Sequence, residues 1–332
     1  MHCFIDKTTD PYYNLAAEEY LLTGLDVPVF RLWRNSPAVI IGRYQNAAAE
    51  INREYASSHN IPVVRRMTGG GAVFHDLGNI NFTFISPRVE GEDTAAMFRR
   101  FTAPIITALK NLGVDASLQG RNDLVIDGKK FSGNAICVHQ DRVLQHGCLL
   151  FSASMTDLSE VLNSRPEKFI GKGVQSNRSR VTNVSEHLHE GNRMTVEDFI
   201  SYVRDTVLKS DEYGDYVIRD YTDAEKAGIQ DLYEKKYSTW EWNFGSSPAY
   251  AIQRYRRFAC GFVEASLNVA GGKISSCKIS GDYFFLRPTE EVEEALIGLP
   301  HEKEAIAARL GTMPITEYFG AVSPEELAEV FV

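Results

Sequence analysis

The chain has 332 residues, enough for one large domain and a small one, and its 44% hydrophobic and 24% charged residues are ordinary for a globular protein. A formal net charge of −9 argues against general nucleic-acid binding, and no run of about eighteen apolar residues offers a helical membrane span. Five cysteines (Cys3, Cys137, Cys148, Cys260, Cys277) never fall in CxxC spacing, and MHCFIDKTTD has no leader pattern, so a reducing cytoplasm is expected rather than a disulfide framework or zinc site.

In chain order, Asp10-Pro11 predicts a helix start, an N-cap followed by proline at the first helical position, with the helix running through NLAAEEYLL to Gly24. Two apolar runs, VFRLW and AVIIG, flank Asn35-Ser36-Pro37 and read as strand, turn, strand. A short helix near 51–58 leads to the strand PVVRRM, a glycine cluster and the alternating strand NINFTFIS. After a helix near 93–111, VIDGKKF carries the Asp-Gly turn of a hairpin. Thr195 with Asp198 and Thr222 with Glu225 have capping-box spacing, and FVEASLNVAGGKISSCKIS predicts a hairpin closed at Gly271-Gly272. Strands and helices mix without regular βαβ alternation, which predicts an α+β fold, with a boundary near 244–248.

Charge is uneven along the chain. Residues 121–180 hold nine Lys/Arg against six Asp/Glu, while 181–250 hold seven against fourteen. A basic segment in an acidic protein suggests a local anion site or, equally, a solvated mixed surface.

Two runs carry chemistry. In RRMTGGGAVFHDLGNINF, from Arg65, three bare glycines let a ligand approach the backbone, successive N–H groups can form an anion nest, and two arginines stand upstream. A plain hairpin loop would also tolerate three glycines, and neither GK[ST] nor GxGxxG accompanies them, so the anion stays unnamed. In GRNDLVIDGKKFSGNA, from Gly120, Lys129 and Lys130 alternate across a strand. In such a hairpin one would face solvent and the other the interior, where an ammonium group needs an anion; a Lys-Lys pair alone is more commonly two solvated edge lysines. His146 in VLQHGCLLF reads as a core histidine, His187 and His189 as a polar loop without HExxH spacing, and Cys137 and Cys148 as small buried hydrophobes.

Taken in order and spacing, RRMTGGGAVFHDLGNINF, GRNDLVIDGKKFSG, LQHGCLLF and KGVQSNRSRVTNV resemble the lipoate–protein ligase family. Trp240, Glu241, Trp242, Asn243, Phe244 and Gly245, then Ser247-Pro248, are similar to the junction with that family's C-terminal accessory domain. The resemblance spans essentially the whole chain. It implies a mixed, largely antiparallel sheet flanked by helices, the fold shared with biotin–protein ligases, over 1–245, and a small α+β accessory domain over 246–332. It implies an ATP-dependent ligase that converts lipoic acid to lipoyl-AMP with release of pyrophosphate, then acylates a lysine on lipoyl domains of 2-oxoacid dehydrogenase E2 subunits or the glycine cleavage H protein. Magnesium is implied with the ATP, and a cytoplasmic monomer with no nucleic-acid or membrane partner is expected.

Residue by residue, the resemblance makes Lys130 catalytic, bonded to the lipoyl carbonyl and the bridging phosphate region. Arg66 contacts the phosphate and adenylate, and Gly69, Gly70, Gly71, Ala72, Val73 and Phe74 form the loop around the nucleotide. Asn79 and Asp123 line the nucleotide and metal side, with Asp123 the candidate Mg2+ ligand, while Trp33 and His146 lie near the lipoyl group. Cys148 departs from the hydroxyl residue often found after His-Gly. Two alternatives remain at this point: a cysteine-dependent octanoyl or lipoyl transferase of the same fold, and a silent lipoate-binding protein. The C-terminal extension favours the ATP-using branch, and the intact Arg66, glycine loop and Lys130 weigh against silence.

Overall fold

The structure is a computed structural model that describes residues 1–45, 47, 51–154, 162, 181–210, 214–244 and 252–332. In chain order its strands and helices are β1 (His2–Ile5), α1 (Pro11–Gly24), β2 (Val29–Trp33), β3 (Ala38–Ile41), α2 (Arg53–Ser58), β4 (Val63–Arg65), β5 (Val73–His75) and β6 (Asn79–Pro87). Then come α3 (Thr94–Asn111), β7 (Ala116–Gln119), β8 (Asp123–Ile126), β9 (Lys129–His139), β10 (Arg142–Leu150), α4 (Val196–Leu208), β11 (Val217–Ile218), α5 (Asp223–Leu232) and α6 (Trp240–Asn243). The C-terminal part holds β12 (Ile252–Phe258), β13 (Gly261–Ala270), β14 (Lys273–Gly281), α7 (Glu290–Leu296), α8 (Lys303–Leu310), α9 (Ile315–Phe319) and α10 (Pro324–Ala328).

Local chemistry sets the boundaries. Asp10 opens α1 by accepting from the backbone N–H of Tyr12 at 2.8 Å and Tyr13 at 3.2 Å. Both expected capping boxes, Thr195 with Asp198 and Thr222 with Glu225, are reciprocal. The turn joining β8 to β9 has Asp127 at φ 52° and Gly128 at φ 73°, the left-handed pair that a tight two-residue hairpin needs.

The main sheet has eight strands in the order β11-β1-β2-β6-β10-β9-β8-β7. Only β11–β1 and β1–β2 pair parallel; the remaining five pairings are antiparallel. The expected mixed, largely antiparallel α+β sheet is therefore the one observed. One face carries Phe30, Leu32, Phe82, Phe84, Val143 and Leu149 into a core with Met97, Phe98, Phe101 and Ile105 of α3 and Phe199 and Val203 of α4. The other face lies under α1 and a smaller sheet ordered β4-β3-β5. This second face holds the site.

The strands β12-β13-β14 form a separate antiparallel sheet whose own core includes Leu267, Ile279, Leu296 and Phe331, and Tyr44 from the loop after β3 is buried within it. Gly245, Ser247 and Pro248 of the junction run, and 172–180 of KGVQSNRSRVTNV, lie outside the described residues.

Candidate active site

Strand register builds the floor. On the face under α1, Trp33 of β2 stands opposite Asn81 of β6, and Asn81 opposite Cys148 of β10. Two residues along each strand, Thr83 stands opposite His146, and His146 opposite Ala135 of β9. Because side chains alternate, the even partners Ile80, Phe82 and Phe84 go to the hydrophobic core while Asn79, Asn81 and Thr83 all face this side. All three polar residues are buried. Asn79 Nδ2 donates to Asn81 Oδ1 at 3.1 Å, and Asn81 Nδ2 has no protein partner among the described residues.

Lys130 reaches this face through an irregularity. Leu124 pairs with Ser132 but Val125 pairs with Lys130, so Phe131 is an extra residue, a β-bulge. Counted back from Gly133 by strict alternation, Lys130 would point away; the bulge reverses it and sends Phe131 into the core. Gly133 makes room, because a Cβ there would stand 3.0 Å from Lys130 Nζ. Asp123 Oδ1 sits 2.7 Å from Nζ, both side chains being partly open to solvent. Lys129 is exposed, as alternation requires once Lys130 faces inward.

The roof is the glycine loop, and it is clamped. Arg66 is buried, with Nε donating to Thr68 Oγ1 at 3.0 Å and Nη1 to the Ile40 carbonyl at 3.1 Å. Nη2 donates to the carbonyls of Gly69 at 2.7 Å and Gly71 at 2.8 Å. Burial pulls this guanidinium down to about 10. Gly69 backs onto the C-terminal region, where a Cβ would meet the Tyr283 carbonyl at 2.2 Å, and Gly70 adopts φ 91°. Gly71 has open space where its Cβ would be. Arg66 takes the Gly69 and Gly71 carbonyls and Gly70 N donates to the Tyr283 carbonyl at 3.4 Å, so the open approach to the loop backbone is at Gly71.

Trp33, Arg66, Gly70, Gly71, Ala72, Val73, Lys130 and His146 line one cavity. Of the other expected residues, Gly69 stands behind the loop, Phe74 is buried in the cluster with Val39 and Ile41, Asn79 lies one step beyond Asn81 on the floor, and Asp123 touches the cavity only through Lys130. His75, Asn81, Asn122, Gly133, Cys148 and Phe284 also line it and were not expected. The alternation N-I-N-F-T-F, a polar face on an otherwise apolar strand, was the available signal for Asn81. Nothing local marks Phe284, which arrives from the far end of the chain and packs edge-on against Phe98 at 5.4 Å.

Two titrating groups are strongly displaced. His75 is pushed down to about 3, first by burial and then by Arg66 and His146 beside it, so it lines the cavity as a neutral ring. Asn35 Nδ2 lies 3.1 Å from its Nδ1. Burial pushes the Cys137 thiol up to about 12, a poor nucleophile. Cys148, expected to be buried, is only partly so and lines the cavity. Among the described residues, no group of three His, Cys, Asp or Glu side chains is placed to hold a metal.

Three comparisons bear on this arrangement. Residues 10–208 match the model of the lipoyl protein ligase A/B catalytic domain, and 247–331 that of the bacterial lipoate protein ligase C-terminus. The chain is 38% identical over 331 residues to lipoate-protein ligase LplJ of Bacillus subtilis (strain 168), covering 98% of this chain and 99% of that protein. In fold it is similar to P. falciparum LipL1 in complex with lipoate, with TM-score 0.78 and 25% identity over 94% of both chains. It is also similar to a lipoate-protein ligase A bound with ATP, with TM-score 0.63 and 28% identity over 74% of this chain and 98% of that one.

Proposed function

The chain belongs to the lipoate–protein ligase family, and from that premise we propose that the cavity joins lipoate to the α-phosphate of ATP and then passes the lipoyl group to a lysine of an acceptor protein. The observation that carries this reading is the shared cavity, in which the Lys130 ammonium group and the Gly70–Gly71 backbone meet from distant parts of the chain. In the first step a carboxylate oxygen of lipoate attacks the α-phosphorus, the bond to the bridging oxygen breaks, and pyrophosphate leaves. Charge grows on the α-phosphate, and Lys130 Nζ with the loop N–H groups supplies preorganised donors. Asp123 holds Lys130 in place, and Arg66 acts through the loop carbonyls that it grips.

In the second step the acceptor amine attacks the acyl carbon, forming an amide and releasing AMP and a proton. No enzyme nucleophile is needed, which accords with a Cys137 thiol held protonated. Leu15, Trp33, Ile40 and Ala135 offer an apolar slot for the lipoyl chain, with His146 beside it. Asn81 Nδ2 offers the bound ligand a donor.

Magnesium suits this site as a companion of the nucleotide. Asp123 is a single carboxylate beside the phosphate donors, and one protein ligand with the rest from phosphates and water is how this ion is commonly held. When bound it neutralises phosphate charge. Within this reading 1–245 is the catalytic domain and 246–332 the accessory domain, which contributes Phe284 to the cavity wall. The acceptor is a lipoyl domain of a 2-oxoacid dehydrogenase or the glycine cleavage carrier protein, and five unpaired cysteines suit the cytoplasm.

The test is a mass measurement on a purified lipoyl domain incubated with the protein and lipoate, with and without ATP. Mass gain of one lipoyl group only with ATP, and exchange of labelled pyrophosphate into ATP only with lipoate, are expected. Modification without ATP would overturn the reading.

A further inference from the structure

Glu18 of α1 takes no part in the chemistry above. It is 3% exposed, and its carboxylate closes two hydrogen-bonded arms. In the first, Trp33 Nε1 donates to Thr83 Oγ1 at 3.0 Å, and Thr83 Oγ1 donates to Glu18 Oε1 at 2.5 Å. In the second, Arg66 Nε donates to Thr68 Oγ1 at 3.0 Å, Thr68 Oγ1 lies 2.9 Å from His146 Nε2, and His146 Nδ1 lies 2.9 Å from Glu18 Oε2.

The polarity at the carboxylate is fixed. An ionised carboxylate only accepts, so His146 Nδ1 carries a hydrogen, and whenever the ring is neutral its bare nitrogen is Nε2. Thr68 Oγ1 receives the Arg66 hydrogen and is free to give its own to Nε2; Thr83 does the same between Trp33 and Glu18. Burial alone would push the Glu18 carboxyl up, but His146, Arg31 and the Thr83 hydroxyl outweigh it and hold the group below its ordinary range. Arg31 balances the charge without competing for the oxygens, since its donors go to Asp6 and to the backbone and side-chain oxygens of Asn14.

We infer that Glu18 is a positioning residue whose carboxylate fixes the His146 tautomer and, through the two arms, aligns Trp33 at one end of the cavity with Arg66 under the glycine loop at the other. This rests on the lipoyl-adenylate reading for what the two ends bind, lipoate beside Trp33 and nucleotide beside Arg66. A glutamine at this position would present an amide N–H to one arm, and that arm would have to reverse. If the amide faces His146, the ring must move its hydrogen to Nε2.

The decisive experiment records 15N signals of the His146 ring in the ligand-free full chain, wild type against Glu18→Gln, assigned with His146→Gln. Protonated Nδ1 with bare Nε2 is expected in the wild type, and the reverse in Glu18→Gln. The same ring pattern in both proteins, with the KM for lipoate also unchanged in Glu18→Gln, would overturn the inference, because neither arm would then have reversed. Two further variants separate the arms and serve even where Glu18→Gln fails to fold. Thr83→Val should raise the KM for lipoate about tenfold with the KM for ATP within about twofold, and Thr68→Val should do the opposite, as expected for one lost buried hydrogen bond. Equal rises of both KM values in both variants would show general loosening instead and would sink the two-arm arrangement. The ring measurement needs no ligand, so its failure leaves the proposed reaction standing, whereas absence of lipoate-dependent pyrophosphate exchange in the wild type would remove that reaction and not the tautomer.

Discussion

On the floor of the cavity, Asn81, Thr83, His146 and Cys148 stand where the pairing of β6 with β10 puts them, the first three with a paired strand on each side and Cys148 paired with β6 alone. On the roof, the glycine loop has no such ladder. It is held by Arg66 gripping the carbonyls of Gly69 and Gly71, by Gly42 passing so close that a Cβ there would lie 2.1 Å from the Gly70 carbonyl, and by the Tyr283 carbonyl, which accepts from Gly70 N at 3.4 Å. The two walls are therefore vulnerable in different ways. A floor residue can be exchanged at the side chain while the backbone stays, whereas the roof depends on side chains that are missing and on a contact from the C-terminal region.

Lys130 belongs to the floor yet faces the roof, and its loss should have the largest effect. Lys130→Ala should lower lipoate-dependent pyrophosphate release on the order of 10²- to 10³-fold, the scale of losing one preorganised donor to a developing charge. Retention of near wild-type release would show that the bulge at Phe131 aims the wrong side chain.

Next in size are three glycines, one behind the floor and two in the roof. Gly147→Ala places a Cβ 2.3 Å from Asn134 Oδ1 and 2.6 Å from Phe82 Cζ, behind the floor, and should cost about 1–3 kcal/mol in denaturant unfolding. Gly69→Ala meets backbone, the Tyr283 carbonyl at 2.2 Å, and should cost a similar amount, about 1–3 kcal/mol, by displacing the 283–284 turn. Gly71→Ala has open space and should leave stability within about 0.5 kcal/mol while raising the KM for ATP. Equal destabilisation by Gly69→Ala and Gly71→Ala would contradict the asymmetry of the loop.

A smaller effect is expected from His75. Its ring, held near 3 in the folded chain against an ordinary 6.5, binds a proton in the unfolded state first. Stability from this group is therefore complete above about pH 6.5 and is lost as pH falls toward 3, with a slope of at most about 1.4 kcal/mol per pH unit. His75→Gln should flatten that part of the pH–stability curve, and an unchanged curve would refute the buried neutral ring. Smallest of all, Lys129→Ala should keep activity within about twofold, since that side chain is exposed.

Much of this architecture was written locally. The α1 cap at Asp10-Pro11, the Asp127-Gly128 and Gly271-Gly272 turns and the two capping boxes each depend on a few adjacent residues, and each is present. The glycine triplet and the lysine pair were likewise visible as chemistry. Their meeting was not, because residues this far apart are brought together only by sheet order. Nor could spacing decide the side of Lys130, since alternation is reset by one extra residue at Phe131 that no local pattern announces.

Local chemistry specifies the elements, their caps and turns, and which side chains bear charge beside an anion. Long-range packing buries Tyr44 in the C-terminal core, brings Phe284 from the other end of the chain to close the cavity, and gathers Trp33 and Arg66 around Glu18. Caps and turns are satisfied within a few residues, whereas a buried carboxylate or an aromatic wall has no partner until distant strands and helices pack.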